Sequence, residues 1–359
     1  MNTNKTYIIA EAGVNHNGSL DLAYQLIDVA VASKADAVKF QTFRADHLVT
    51  KAAAKAEYQK NLGPNGETQY EMLKRLELSY AYHHELKRYA ESKRIDFLST
   101  AFDPVSLDFL VNELDLAYLK IPSGELTNAP LVLAHAQSQK DLIVSTGMSS
   151  LEEIEEALGV IAFGFLGAEN PCREAFVEAY RSTEGRMLLQ AKVSLLHCTS
   201  EYPAPLAEIH LRAMDHMREN FNLRIGYSDH SEGIIVPIAA VARGASIIEK
   251  HFTVNKNLPG PDHQASIEPD QLEQMVSAIR AVEKSLGVAT KRVQNSEMKN
   301  SAIVRKSLVA RCAIKAGELL TEENMVVLRP AGGISPLRYW ELLNKPSVLT
   351  LNEGDYISE

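Results

Sequence analysis

The feature that most limits what this chain can fold into is a repeat. A strand-length apolar segment ends in a polar cluster, and an amphipathic helical pattern follows. The repeat is clearest over 224–262, where R-I-G-Y-S-D-H-S-E-G leads into a small-residue helical run and then into S-I-I-E-K-H-F-T and P-G-P-D. Comparable segments are YIIA at 7–10, DAVKF at 36–40, DFLST at 96–100, AYLKI at 117–121, LIVST at 142–146 and VSLLH at 193–197. These strands are apolar throughout rather than alternating, the pattern of a parallel sheet buried on both faces. Eight such units over roughly 280 residues predict an α/β fold of the (β/α)8 TIM-barrel type. A doubly wound sheet is the alternative, but no G-x-G-x-x-G follows a first strand, so its dinucleotide-binding form lacks its fingerprint.

Three stretches break the rhythm. Residues 44–79 are polar, Lys/Glu-rich and carry a Gly63-Pro64-Asn65-Gly66 turn signal; an insertion after a strand's C-terminal end reads as a lid over the barrel mouth. Residues 164–190 read as an irregular surface insertion. Residues 293–300 read as a polar linker, after which short β-like runs (SLVARCAI, VVLRPA, SVLTL) are broken by K-A-G-E, G-G and N-E-G-D. The expected organisation is a barrel over residues 1–288, a linker over 289–300 and a small, mainly β domain over 301–359. Between these breaks Ser19 predicts a helix cap, Ser150-Leu151-Glu152-Glu153 a capping box, and 206–219 a single helix.

Composition narrows the function. The net charge is −9, with no Lys/Arg-rich tract, which argues against nucleic acid as a partner. No apolar run approaches the ~20 residues needed to span a bilayer, and Glu11 interrupts the first apolar stretch, a poor signal peptide. The three cysteines, Cys172, Cys198 and Cys312, are odd in number and far apart, giving neither a disulfide framework nor a metal motif. A reduced, cytoplasmic protein is the expectation.

In a (β/α)8 barrel the chemistry sits at the C-terminal ends of the strands. Those ends carry Glu11; Lys39 and Gln41; Thr100 and Asp103; Lys120, Ser123 and Glu125; Ser145; Ser200 and Tyr202; Ser228, Asp229 and His230; and Glu249, Lys250 and His251. Three of the lysines follow apolar strand residues, where an ammonium is costly unless paired or set against an anion. With the neighbouring hydroxyls they suit a small substrate bearing phosphate and carboxylate; pairing with carboxylates of adjacent strands is the structural alternative. His230 and His251 end adjacent strands, near enough to share a metal ion, or else are packed residues. Imidazoles suit Mn, Fe, Co or Zn, and surrounding waters and carboxylates favour Mn or Mg. Asp229, Glu249 and Asp262 are candidate further ligands or partners, and His16 is a third candidate histidine in what is equally a turn. Glu11 is a general acid/base or a partner of a strand-end lysine. Cys198 reads as an apolar filler rather than a nucleophile.

The motifs E-A-G-V-N-H-N-G, V-K-F-Q-T, L-K-I-P-S-G-E, S-T-G-M-S, L-H-C-T-S-E-Y-P, G-Y-S-D-H-S-E-G, E-K-H-F-T and G-P-D together resemble the sialic acid synthase family, and K-A-G-E with L-R-P-A-G-G-I resembles its antifreeze-like SAF domain. The resemblance spans nearly the whole chain. It implies condensation of phosphoenolpyruvate with an N-acylated mannosamine-type sugar, giving a nonulosonic acid and phosphate. It implies Mn2+ or Mg2+ on His230 and His251. Phosphoenolpyruvate would then meet Lys39, Thr100, Lys120, Ser123, Ser145 and Ser228, and the sugar Gln41, Tyr202, His251 and Asp262. Glu11 and Glu125 would stand near the reacting carbons. Ser200 stands where some members carry an Asn facing the phosphate. The resemblance further implies a domain-swapped homodimer in which Arg329 reaches the partner's sugar acyl group. The leading expectation is N-acetylneuraminate synthesis. The alternative is a legionaminic-type acid made from a 2,4-diacetamido-trideoxy sugar, and a more remote one is a Schiff-base aldolase using Lys120 or Lys250.

Overall fold

The structure is a computed structural model that describes residues 5–55 and 66–359. The turn predicted at 63–66 lies, except for Gly66, outside them. The chain divides into two compact units after Gly287.

In the first unit eight parallel strands close on themselves: β1 (Tyr7–Gly13), β2 (Ala37–Thr42), β3 (Asp96–Ala101), β4 (Tyr118–Ile121), β5 (Asp141–Ser145), β6 (Val193–Cys198), β7 (Arg224–Asp229) and β8 (Ile247–His251). Each pairs with the next, and β8 returns to β1. The helices between them are α1 (Leu20–Ala32), α2 (Ala45–Leu48), α3 (Gln69–Leu76), α4 (Tyr80–Lys93), α5 (Pro104–Asp108), α6 (Ala129–Gln137), α7 (Leu151–Phe165), α8 (Arg173–Arg181), α9 (Thr183–Lys192), α10 (Ala213–Phe221), α11 (Ile235–Ala242) and α12 (Pro269–Leu286). The predicted (β/α)8 barrel is the fold that forms. Its helix starts are chemically marked: Ser19 accepts from the Leu22 N–H at α1, and Ser150 with Glu153 closes a capping box at α7, giving partners to otherwise unpaired first-turn donors.

Local chemistry departs from expectation in three places. Residues 164–190 hold α8 and α9, not irregular chain, because Phe176, Ala179 and Tyr180 give α8 an apolar face, and Ala179 and Tyr180 are buried. The helix expected over 206–219 is a 3-10 turn (Leu206–Glu208) followed by α10, the two separated by His210 at φ +48°. Most of the polar 293–300 segment is helical within α13 (Asn295–Val304), started by a capping box of Gln294 and Glu297; it buries no residue, so no apolar face announces a helix that local capping suffices to begin.

Strand residues alternate between two sides of the barrel wall. Outward residues pack under the helices in one large core. Inward residues stack in layers: Ile9, Ala37, Leu98, Ile143, Leu196 and Ile247 form an apolar layer that rests on Tyr7 and Tyr118. Gly226 is the contribution of β7. A Cβ there would stand 2.5 Å from Leu196 Cδ2 and 2.6 Å from the Ile247 carbonyl oxygen. The next inward position on each strand, toward the C-terminal end, is where polar residues begin.

The second unit contains α13, an antiparallel pair β9 (Ser307–Ala310) and β10 (Met325–Leu328), and a short α14 (Tyr339–Leu342). Isolated bridges, Ile314 with Leu351 and Leu319 with Pro346, replace further strands. Leu308, Ile314, Leu320, Met325, Leu342, Leu351 and Ile357 form its core. Among the described residues no helix is long and apolar enough to cross a membrane.

Gly226→Ala is expected to destabilise the protein by about 1–3 kcal/mol through overpacking of the apolar layer, read as a lowered urea midpoint. A wild-type midpoint would contradict this packing.

Candidate active site

Above the apolar layer, the inward position of each strand carries a polar or ionisable side chain: Glu11, Lys39, Thr100, Lys120, Ser145, Cys198, Ser228 and Glu249. All of them line one cavity of about 390 Å³. The charged members form a chain of contacts. Lys39 Nζ lies 2.7 Å from Glu11 Oε2 and 3.5 Å from Glu249 Oε2, and donates to Thr100 Oγ1 at 3.0 Å. Lys120 Nζ lies 2.7 Å from Glu249 Oε1, to which the Ser228 hydroxyl also donates at 2.9 Å. No side chain of the four charged residues is more than 6% exposed.

Burial acts on all four, and their partners decide the outcome. Burial pushes the Glu11 carboxyl up, against the pull of Lys39. Burial would raise Glu249 too, but the charges of Lys120 and Lys39 and the Ser228 hydrogen bond hold it well below the ordinary carboxylate range. Burial would lower Lys39, but Glu11 and Glu249 raise it; Lys120 is lowered, because burial and the Lys39 charge exceed what Glu249 returns. The cluster therefore sets two lysines against one firmly ionised carboxylate and one carboxyl biased toward its neutral form. That excess of positive charge can seat an anion. The Ser145 hydroxyl, buried and without a hydrogen-bond partner, is a further donor on the same floor.

The two histidines meet on the adjacent wall, with ring centroids 5.7 Å apart. His230 Nδ1 donates to the Thr199 carbonyl at 2.7 Å, which fixes the proton there and leaves Nε2 with a free lone pair. His251 Nδ1 is buried without a hydrogen-bond partner, 3.9 Å from Asp262 Oδ2. Burial, then the neighbouring His230 and Lys39, push His251 well below its ordinary range, so it is a neutral imidazole. One bare and one unpartnered imidazole nitrogen are the donors a divalent transition metal takes. Among the described residues no group of three or more His, Cys, Asp or Glu is placed to hold a metal; a bound ion would fill its remaining positions with water or substrate oxygens. The Tyr202 ring packs tilted against that of His230, centroids 4.1 Å apart, and Cys198 Sγ lies 3.6 Å from His230 Nδ1. Gly13, at φ +52°, gives these groups room: a Cβ there would meet His251 Cε1 at 3.3 Å and Asp262 Oδ2 and Gln41 Nε2 at 3.4 Å.

The mouth of the cavity differs from its floor. Val14, Met72, Leu73, Leu76, Phe102 and Met148 line it, and α3 is hung there by a small apolar cluster of Val14, Phe43, Met72 and Leu76. The described part of the 44–79 insertion thus frames the opening.

Of the residues expected at the site, Glu11, Lys39, Gln41, Thr100, Lys120, Ser123, Ser145, Ser200, Tyr202, Ser228, His230, His251 and Asp262 line the cavity. Five do not. Glu125 follows Pro122 into a 3-10 turn and accepts a hydrogen bond from Asn128 at 2.7 Å, off the cavity. Asp229 and Lys250 point to the outer side of the wall and pair there at 2.6 Å. His16 is fully buried, accepting the Gly18 N–H on Nδ1. Arg329 stands exposed past β10 in the second unit. Glu249, read from sequence only as a candidate partner of a metal, instead bridges both floor lysines; its inward parity with Ile247 and His251 is the signal that marks it.

A barrel whose C-terminal end gathers buried ammoniums beside bare imidazoles defines an enzyme with an anionic substrate. The chain matches the NeuB family over residues 26–291 and the SAF domain over residues 305–359. It belongs to the NeuB family, as the motifs implied, and is a carbon–carbon bond-forming transferase of the nonulosonic acid synthase type. It is 47% identical over 355 residues to the N,N′-diacetyllegionaminic acid synthase of Campylobacter jejuni, covering 99% of each chain. Identity to the N,N′-diacetyllegionaminic acid synthase of Legionella pneumophila is 44% over 348 residues, 97% of this chain and 92% of that one. Among solved structures, the N-acetylneuraminic acid synthetase of Leptospira borgpetersenii, in complex with citrate, superposes with a TM-score of 0.67 at 34% identity, covering 83% of this chain and 90% of that one. The similarity therefore favours the legionaminic alternative over the N-acetylneuraminate expectation.

His16 supplies a pH test of the buried floor surround. Burial, with His83 and His263 adding to it, pushes its imidazole down to about 3, below an unfolded value near ~6.5. The unfolded chain then takes up the proton first, so this contribution to stability is intact above about pH 6.5 and is lost as pH falls toward the folded value. Relative to His16→Gln, wild type should lose up to about 1.4 kcal/mol per pH unit below about pH 6, measured by urea unfolding at several pH values. A pH-independent difference would contradict the buried neutral ring.

Proposed function

We propose that the protein condenses phosphoenolpyruvate with the open-chain form of a 2,4-diacetamido-trideoxy-mannose, giving an N,N′-diacetyllegionaminic-type acid and phosphate. The observation that carries this reading is the pair Lys39 and Lys120, joined through Glu249 on a floor directly beside His230 and His251. A trianion on the lysines and a carbonyl at the histidines would lie side by side in one cavity. The choice of sugar rests on the nearer legionaminic relatives and on the apolar mouth. Val14, Leu73 and Phe102 line the same cavity; set against the far end of a sugar whose C1 stands at the histidines, they would suit a deoxy methyl group and leave a hydroxyl unpaired.

Lys39 and Lys120 hold the phosphate and carboxylate charges, and Thr100, Ser123, Ser145 and Ser228 donate to the remaining oxygens. Gln41, Tyr202 and Asp262 orient the sugar. His230 and His251 would hold Mn2+ or Mg2+, which when bound supplies Lewis-acid polarisation of the aldehyde. C3 of phosphoenolpyruvate forms the bond to the aldehyde carbon, whose oxygen takes a proton from Glu11, the carboxyl that burial pushes up to about 7. Water adds at C2 and gives up a proton to Glu11, which the first step left ionised. The C2 hydroxyl then passes its proton to the departing phosphate as the C2–O bond breaks, leaving the keto acid. The reading includes the homodimer that the resemblance implies, with Arg329 as the acyl-group contact. The aldolase alternative keeps only Lys120 as a nucleophile, since Lys250 points away from the cavity; borohydride trapping of a pyruvate adduct would favour it.

Phosphate release with a sugar panel tests the proposal. The diacetamido-trideoxy sugar is expected to exceed N-acetylmannosamine in kcat/KM by about 10-fold or more, with activity lost in EDTA and restored by Mn2+. Equal or better turnover of N-acetylmannosamine would overturn the choice of sugar. Full activity after metal removal, or in His251→Ala, would overturn the metal assignment. Arg329→Ala should raise the sugar KM far more than that of phosphoenolpyruvate.

A further inference from the structure

We propose that the Asp229–Lys250 ion pair is a positioning strut that sets the two cavity histidines from the outer side of the barrel wall. The inference rests on the reading of His230 and His251 as holders of a divalent cation. Asp229 and Lys250 are direct neighbours across the β7–β8 ladder, and each immediately precedes one of the histidines. Their side chains project opposite to those of Ser228, Glu249 and His251, and both are fully buried.

The pair does more than neutralise itself. Lys250 Nζ lies 2.6 Å from Asp229 Oδ2 and also donates to the Ser231 carbonyl, while Asp229 Oδ1 accepts the Ser231 N–H at 3.0 Å. The backbone on both sides of His230 is thereby tied to the residue before His251. Two further bonds complete the clamp. The His230 carbonyl accepts from the Ala204 N–H at 2.9 Å, and the His251 carbonyl accepts from the Ile267 N–H at 3.0 Å. What remains for each histidine is its ring orientation, and His230 spends Nδ1 on Thr199.

Stability alone is a weak account of such a pair, because a buried ion pair seldom outperforms an apolar pair of the same volume. Spacing is a better one: a charged contact with directed hydrogen bonds specifies the separation of two strand ends more narrowly than apolar packing does. Groups behind a ligand that fix its orientation alter metal affinity by about 10–100-fold when removed.

The test uses full-length protein carrying D229N/K250M, which removes both charges together and keeps an acceptor for the Ser231 N–H. Mn2+ binding is followed by the electron paramagnetic resonance of free Mn2+, and fold by circular dichroism and Tm. The apparent Kd for Mn2+ is expected to rise about 10–100-fold. In metal-free protein labelled with 15N-histidine, His230 should change from a single Nδ1–H tautomer to a mixture. Asp229→Glu keeps both charges but moves the carboxylate by one methylene; it covers the case in which the double variant does not fold, and should weaken Mn2+ about 10-fold. Arg280→Met serves as the control. It removes contacts to Asp36 and the Thr6 carbonyl, before β2 and β1, and should lower Tm with Mn2+ affinity unchanged. Wild-type Mn2+ affinity and a single His230 tautomer in both pair variants would overturn the proposal, as would an equal loss of affinity in Arg280→Met. If wild type itself binds no Mn2+, the metal reading fails, and the tautomer measurement alone decides whether the strut positions His230.

Discussion

The cavity floor depends on one shared carboxylate. Glu249 lies between Lys39 and Lys120, and without it two buried ammoniums would face each other in a layer that excludes water. Removing one partner of a buried pair typically costs about 3–5 kcal/mol, whereas an apolar replacement of the whole set is often neutral or better. The barrel has no structural need for this cluster, since the layer beneath it closes with aliphatic side chains and Gly226. Charge sits above that layer because a charged ligand is to be received there. The near-neutral bias of Glu11 leaves the cluster short of negative charge, which a bound anion would supply.

Everything at the site follows from alternation along the strands. Ile9 and Glu11, Ala37 and Lys39, Leu98 and Thr100, Leu196 and Cys198, and Ile247 and Glu249 are pairs two residues apart on one face, the lower member apolar and the upper one polar. One further step places Gln41 and His251 at the next level. A single period of two thus builds the packed layer, the anion floor and the imidazole wall in vertical order. The tilt of the strands brings residues from all eight to one opening.

This order explains what could be read from sequence. Continuous apolar segments announced the barrel, and polar residues at their ends announced Glu11, Lys39, Lys120, His230 and His251, because a charged residue closing a buried strand has few other reasons to be there. The same continuity concealed direction. With apolar residues on both faces, nothing local separates Glu249 from Lys250 or Ser228 from Asp229, so Lys250 read as a third anion-binding lysine. Counting outward from Ile247 or Gly226 would have separated them, but that requires knowing which of two apolar neighbours faces the axis. Glu125 stands off the cavity for another reason: Pro122 turns the chain out of the strand direction, and motif position does not report that turn. α8, α9 and α13 were hidden by their polarity, since each is specified by short-range capping or a narrow apolar face.

The mouth obeys different constraints from the floor. α3 is attached through Met72 and Leu76 to Val14 and Phe43, and through Lys74 to Asp46. None of these contacts passes through the charged layer. A change of side chain on the cavity-facing side of α3 can therefore leave Lys39, Lys120 and Glu249 in register. The converse does not hold, because a change at any floor residue disturbs a shared charge. Substrate choice in such a barrel can diverge at the rim while the bond-forming chemistry stays fixed, and strong similarity across the floor is poor evidence for the identity of the sugar. On the proposed reading, the residues that carry that information are the apolar ones at the opening, which no motif of polar residues records.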